Sequence, residues 1–324
     1  MRQLLRRRLF FCLFAAVVLF CVDFCAFPYG QPPAGRSANT GENGLWLHFS
    51  WYAGGHSEND TRRLAQRLAN AQAHYAYCHV RGVQQDGRLR FHFLNNARRL
   101  VIDLHRVAPT VKVIAWVYAG NEYGAGQVDL SRSAVRTNMA REAAWLVNSC
   151  GFDGVQWDYE ICPDGDAGFL ALLRETRTAI GVDKIISVAT PLWLPRTVGP
   201  HGWSDGYFTQ VAALCDQMCV MAYDAACLSP RLYVWLVKQQ VVHVTQDAAQ
   251  GNTFCRVLIG VPTYARGGLS HNPSIENIGM ALRGVREGVV DPQTHIAAFA
   301  GVAVFADYTT QADEWATYRA RWLK

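Results

Sequence analysis

The stretch FDGVQWDYE, residues 152–160, decides how the rest of this chain is read. An apolar run from Gly151 to Val155 leads into acidic side chains spaced two apart. Alternate side chains of a strand share a face, so Gln156, Asp158 and Glu160 point one way and Val155, Trp157 and Tyr159 the other. This pattern predicts a strand whose apolar outer face packs on helices and whose polar face looks into a cavity. Two carboxylates two residues apart lie only ~6–7 Å apart at the backbone. Each then perturbs the other's pKa, which poises Glu160 as a proton donor beside a charged Asp158. The simpler reading, a polar strand end capping the next helix, is weakened by the sequence on both sides.

Outward from this stretch, apolar strand-like runs alternate with longer amphipathic segments. LWLHFSW (45–51) precedes a predicted helix over 58–73, and HYAYCHV (74–80) one over 94–107. KVIAWVY (112–118) precedes a helix over 131–149, and the opening stretch, as strand four, one over 168–180. IISVAT (185–190), QMCVMAY (217–223), CRVLIGV (255–261) and GVAVF (301–305) precede helices over 207–214, 231–249, 275–285 and 311–322. Eight strand-then-helix units with buried, parallel-type strands predict an α/β protein, a closed (β/α)8 TIM barrel over residues 44–324. A doubly wound open sheet is the alternative, but no GxGxxG follows the first strand.

The chain has 324 residues, 50% of them hydrophobic, enough to bury one large core. Of its net charge of +5, Arg2, Arg6, Arg7 and Arg8 against Asp23 hold +3, and no basic stripe interleaved with aromatics suggests nucleic acid. Those arginines precede the apolar run Leu9–Val22, so residues 1–27 read as a signal peptide or membrane anchor and 28–43 as a linker. Either form sends the barrel out of the cytoplasm by the positive-inside rule, secreted, periplasmic or tethered. Three of ten cysteines lie in the leader; the other seven are an odd number, and Cys78, Cys219 and Cys255 fall within strands as buried free thiols. No CxxC or Cys/His spacing suggests zinc. His48, His79 and Asp224 could be assembled into a metal site, but a lone His on a strand is more often hydrogen-bonded core, so neither metal nor cofactor is expected. Nothing specifies a protein partner or an oligomeric state.

In a barrel, chemistry belongs at the C-terminal ends of the strands. The loops there carry Trp51 and Tyr52; Tyr118, Asn121 and Tyr123; Trp193 and Trp203; Tyr223 and Asp224; Tyr264 and His271; Asp307 and Tyr308. Aromatic faces with scattered hydrogen-bonding groups suit sugar rings, although each aromatic alone is equally explained by loop packing. Trp157 is directed outward by alternation, and His271 with Asn272 either contacts substrate or makes the loop turn.

FDGVQWDYE resembles the strand-four signature D-G-x-D-x-D-x-E of glycoside hydrolase family 18, the chitinase-like enzymes. Asp153, Gly154, Asp158 and Glu160 match it, and Gln156 replaces the middle acid. VMAYD (220–224) is similar to the family's M-x-Y-D and LIGVPTYAR (258–266) to its G-x-P-x-Y segment, in order and in register. The resemblance covers the second half of the barrel and implies substrate-assisted retaining hydrolysis of a β-linked N-acetylhexosamine glycan. By it, Glu160 protonates the leaving oxygen, Asp158 stabilises the intermediate formed by the substrate's acetamido group, and Tyr223 and Asp224 orient that group. Asp153, Gln156, Trp51, Trp116, Met221, Tyr264 and Phe305 are the expected substrate-binding residues. Two departures, Gln156 and Phe305 where the family often has tryptophan, suggest a divergent bacterial branch.

Two rival readings stand beside this one. The first is a carbohydrate-binding protein that has lost turnover, favoured by Gln156 and opposed by Glu160. The second is a two-carboxylate glycosidase on sugars without an acetamido group. Strand seven ends in Pro262-Thr263-Tyr264 with no acid, and the nearest, Glu276, falls at a predicted helix start where dipole capping explains it.

Overall fold

The computed structural model describes residues 2–27, 38–120, 128–160, 162–195 and 202–323. Eight parallel strands close into a barrel in chain order: β1 (Asn43–Leu47), β2 (Ala73–Gly82), β3 (Lys112–Tyr118), β4 (Gly154–Asp158), β5 (Ile185–Thr190), β6 (Gln217–Met221), β7 (Arg256–Pro262) and β8 (Phe299–Phe305). Closure is direct, with Gly44 of β1 opposite Ala303 of β8. Around it run α2 (Ser50–Ala53), α3 (Glu58–Asn70), α4 (Leu94–Val107), α5 (Ser133–Ala144), α6 (Ala167–Ile180), α7 (Asp205–Ala212), α8 (Pro230–Gly251), α9 (Ile278–Val289) and α10 (Ala312–Arg321). The expected barrel is the one found.

The alternation read from the sequence sorts the core into two layers. Val155 and Trp157 belong to the cluster between strands and helices, where the Trp157 indole donates to Thr176 Oγ1 of α6 at 3.1 Å. Inside the barrel lie Trp46, Tyr75, Tyr77, Ile114, Trp116, Cys219 and Leu258. A neutral polar chain crosses that interior. Trp46 Nε1 donates to Gln156 Oε1 at 2.9 Å, Gln156 Nε2 to Ser187 Oγ at 3.0 Å, and Ser187 Oγ to Gln217 Oε1 at 2.9 Å. Tyr77 OH donates to the same Gln217 oxygen. Gly154 is glycine because a Cβ there would stand 2.1 Å from the Ile185 carbonyl oxygen of the neighbouring strand.

The N-terminal rim is closed by side chains that cap strand ends. Asn43 Oδ1 accepts from Trp322 Nε1 at 2.8 Å and from Val302 N at 3.1 Å, which fastens the chain's end under the first strand. Cys78, Cys219 and Cys255 are buried and free of disulfides, and the Cys215 and Cys255 thiols share a hydrogen bond at 3.9 Å. Before the barrel, α1 (Arg2–Ala26) carries exposed Phe10, Phe11, Leu13, Phe14 and Leu19, and Phe27 is buried beneath Arg231 and Arg283. Among the described residues no helix is long and apolar enough to cross a membrane. Most of the linker expected over 28–43 lies outside the described residues.

Candidate active site

β4 delivers Asp158 to the C-terminal mouth, 2% exposed, and the chain emerges two residues later with Glu160 exposed to solvent. Trp116, opposite Gln156 on the adjacent β3, reaches up to donate Nε1–H to Asp158 Oδ2 at 2.8 Å. Phe305 at the end of β8 is half-buried. It lies nearly parallel to Tyr223, with centroids 5.1 Å apart, and presents edges to Trp46, Trp116 and Tyr264 at 5.5, 5.9 and 5.9 Å. These rings make an aromatic floor beside the buried carboxylate.

Tyr223 follows β6 into the same place. Burial pushes its phenol well above the ordinary value, and the charges of Asp158 and Glu160 push in the same direction. The hydroxyl therefore stays a proton-bearing donor that feels both acids. Asp224 takes a left-handed φ of +56°, which turns its carboxylate toward β7, where Tyr264 OH donates to Oδ1 at 2.6 Å. Burial first, and then the Asp224 carboxylate, raises the Tyr264 phenol far above its usual range.

Glu276 sits under this loop rather than capping a helix. It is 1% exposed, and its two oxygens accept from Ala225 N at 3.0 Å and Cys227 N at 2.9 Å, while Asn277 caps α9. His271 is also buried and donates Nε2–H to the Tyr264 carbonyl at 3.2 Å. Its Nδ1 lies 3.4 Å from Asp224 and 3.5 Å from Glu276. Asp224, His271 and Glu276 bring ligand-type atoms within 4.8 Å of one another, a different trio from His48, His79 and Asp224. With both Glu276 oxygens spent on backbone N–H groups, the trio is built as a clasp for the loop.

The structure brings Asp158, Glu160, Tyr223, Asp224, Trp116, Tyr264 and Phe305 to one mouth, with half-buried Met221 at the end of β6 beside them. Three expected substrate-binding residues are placed elsewhere. Asp153 lies at the opposite rim, before β4 begins, where its carboxylate accepts from Val113 N at 2.7 Å and His105 Nε2 at 2.8 Å. Gln156 is fully buried a layer below Asp158, wired to Trp46 and Ser187. Trp51 is turned outward by the short α2, where it stacks on His56 with centroids 3.6 Å apart. Asn121 and Tyr123 lie outside the described residues. Glu276 was missed as a site residue because its spacing from β6 carries no local signal.

A buried carboxyl group, an exposed one and a proton-bearing phenol gathered on an aromatic floor are groups suited to a sugar ring and to proton transfer. Residues 50–322 match the glycosyl hydrolases family 18. The fold is similar to a class V chitinase from Pseudomonas fluorescens Pf-5 (15% identity over 87% of this chain and 99% of that one, TM-score 0.58). It is likewise similar to the spore cortex-lytic enzyme SleL of Bacillus cereus (9%, 90% and 76%, TM-score 0.58) and a chitinase from Bacteroides thetaiotaomicron (14%, 85% and 92%, TM-score 0.58). At these identities the likeness is one of fold. No curated protein sequence matches this chain significantly. With the family match spanning nearly all of the barrel, the chain belongs to glycosyl hydrolase family 18 and is a glycoside hydrolase.

Proposed function

We propose that this enzyme hydrolyses a β-linked N-acetylhexosamine glycan by substrate-assisted, retaining catalysis. Glu160 gives its proton to the glycosidic oxygen as the substrate's acetamido carbonyl oxygen bonds to the anomeric carbon and the old C–O bond breaks. Asp158 supplies the negative charge that stabilises the resulting oxazolinium ion, held in place by Trp116. Tyr223 and Asp224 orient the acetamido group. Water then attacks the anomeric carbon, giving its proton to Glu160 and reopening the ring. The observation that carries this reading is the use of Glu276. The acid nearest in sequence to the end of β7 is buried with both oxygens engaged by backbone N–H groups, which supports a nucleophile on the substrate rather than on this residue.

The basic, apolar leader supports an enzyme that works outside the cytoplasm, on chitin fragments, peptidoglycan or N-acetylated exopolysaccharide. The test is hydrolysis of aryl β-glycosides of N-acetylglucosamine oligomers by the full chain, by Glu160→Gln, and in the presence of a thiazoline analogue of the oxazoline. Turnover that falls at least about 10³-fold in Glu160→Gln and is blocked by the thiazoline is expected. Sugar binding without turnover would favour a carbohydrate-binding protein on this barrel. Turnover of 2-hydroxyl sugars, untouched by the thiazoline, would favour a two-carboxylate mechanism.

A further inference from the structure

β2 does not stop at the barrel rim. Arg81 adopts a left-handed φ of +69°, a conformation unfavourable for a residue with a side chain, and diverts the chain into a hairpin over residues 82–90. Gln84 N–Arg88 O at 2.8 Å and Arg90 N–Gly82 O at 3.0 Å close the hairpin, and Val83 N–Tyr118 O at 3.0 Å ties it to the end of β3. Beneath it lies a cavity of about 760 Å³ whose wall includes Phe49, Arg81, Gln84, Gln85, Asp86, Arg90 and Phe91.

Two guanidinium groups define this cavity. Arg81 lies 4.6 Å over the Phe49 ring and Arg90 5.7 Å over the Phe91 ring, and the two rings touch, with centroids 5.8 Å apart. Neither arginine pairs with a carboxylate of the described residues, whereas Arg62, Arg63, Arg67, Arg106, Arg136, Arg177 and Arg256 all do. Asp86, the acid of the hairpin, is taken up by Arg88. Stacking on an aromatic face holds a guanidinium while leaving its N–H edge open to a planar anion. Two such groups on one wall, where Asp86, paired with Arg88, is the one acid among the described lining residues, attract a negative partner.

A run of ring contacts joins the cavity wall to the catalytic mouth. Phe49 meets His79 at 6.5 Å, His79 stacks on Trp116 at 4.0 Å, and Trp116 holds Asp158. Burial, with the charge of Arg81 next, lowers the His79 pKa to about 3, and its Nε2 has no hydrogen-bond partner among the described residues. A neutral ring nitrogen thus stands between the two sites.

Building on the hydrolase reading, we propose that this cavity is a subsite for an acidic sugar. A carboxylate-bearing ring of the N-acetylated glycan is gripped by Arg81 and Arg90, with Gln84 and Gln85 at its hydroxyls. A neutral polymer of N-acetylglucosamine leaves both guanidinium groups unmatched, so the geometry points to an acidic glycan as the natural substrate class.

The test compares the full chain on an oligosaccharide of alternating N-acetylglucosamine and N-acetylmuramic acid with the same oligosaccharide after its carboxyls are reduced to alcohols. Charge-assisted pairing makes kcat/KM roughly tenfold or more higher for the acid form, mainly through KM, and the ratio falls as salt is raised. Arg81→Gln/Arg90→Gln abolishes the ratio. Arg90→Gln alone, on the exposed hairpin and outside the barrel strands, lowers it several-fold in a chain of unchanged melting temperature. Equal kcat/KM for the two forms, or a ratio that survives in the double variant, overturns the proposal. If neither form is cleaved, calorimetric titration decides. Tighter binding of the acid form that needs the arginines keeps the subsite and refutes the hydrolase reading, whereas equal binding refutes the subsite.

Discussion

Replacing Glu276 with glutamine separates a loop clasp from a catalytic acid. The wild-type carboxylate accepts the N–H groups of Ala225 and Cys227 at 3.0 and 2.9 Å while 1% exposed. Each of those groups follows a residue in the left-handed region, Asp224 at +56° and Ala226 at +51°. Such backbone costs about 1 kcal/mol per residue, so the two bonds hold a turn that would otherwise relax. A hydrogen bond to a charged acceptor contributes about 1.5–3 kcal/mol. Glutamine keeps one acceptor and turns an NH2 group against the other N–H, while the buried charge and its desolvation cost disappear. The balance is a loss of about 2–4 kcal/mol, read as a lower urea midpoint at unchanged slope. Because the same turn aims Asp224, kcat falls about 10–100-fold. Unchanged stability with turnover reduced more than about 10⁴-fold would refute the clasp and make Glu276 a catalytic group. Unchanged stability and unchanged turnover would show that the turn holds itself.

Three further outcomes follow from the same geometry. Trp116→Phe keeps a ring against His79 but loses the 2.8 Å bond to Asp158, so kcat/KM on an N-acetylglucosamine oligomer drops about 10–100-fold; an unchanged rate would show that the indole does not position Asp158. Phe305→Ala removes the ring that faces Tyr223 at 5.1 Å, which costs about 2–4 kcal/mol of stability and raises KM; an unchanged KM would remove that ring from the sugar floor. Asp247 is buried, and burial first, with the Asp205 charge second, raises its pKa to about 7. A carboxyl whose pKa is raised on folding contributes stability that is full below its unfolded value near 4 and is lost as pH rises through 7. Asp247→Asn is therefore more stable than wild type by a gap that widens from pH 4 to pH 7, to about 2–4 kcal/mol, in urea titrations; a gap independent of pH would refute the assignment.

What the sequence discloses depends on how local the cause is. Apolar runs between amphipathic segments announce each strand, and period-two alternation places Trp157 against α6 and Asp158 in the mouth. Asp153 belongs to the same motif, yet it precedes β4 while Asp158 is that strand's last residue, so it sits at the other rim, because a motif spans a strand whereas a site occupies only one end. Trp51 stands just beyond a strand, where aromatics often line a cleft, but a four-residue helical turn swings its ring outward. Glu276 and the Arg81–Arg90 hairpin are set by tertiary contacts: an acid reaches back fifty residues to two amides, and a left-handed arginine extends a strand past the rim.

The polar chain across the barrel interior, from Trp46 through Gln156, Ser187 and Gln217 to Tyr77, holds only uncharged groups, with the Tyr77 phenol pushed far above its usual range by burial. Among the described residues, this chain thus offers Asp158 no charged group from below. On the proposed mechanism, protons therefore pass through the open end of the barrel, between Glu160, the glycan and bulk water. The barrel works as an insulated well with a single port, and solvent-isotope measurements should count one proton in flight at that port.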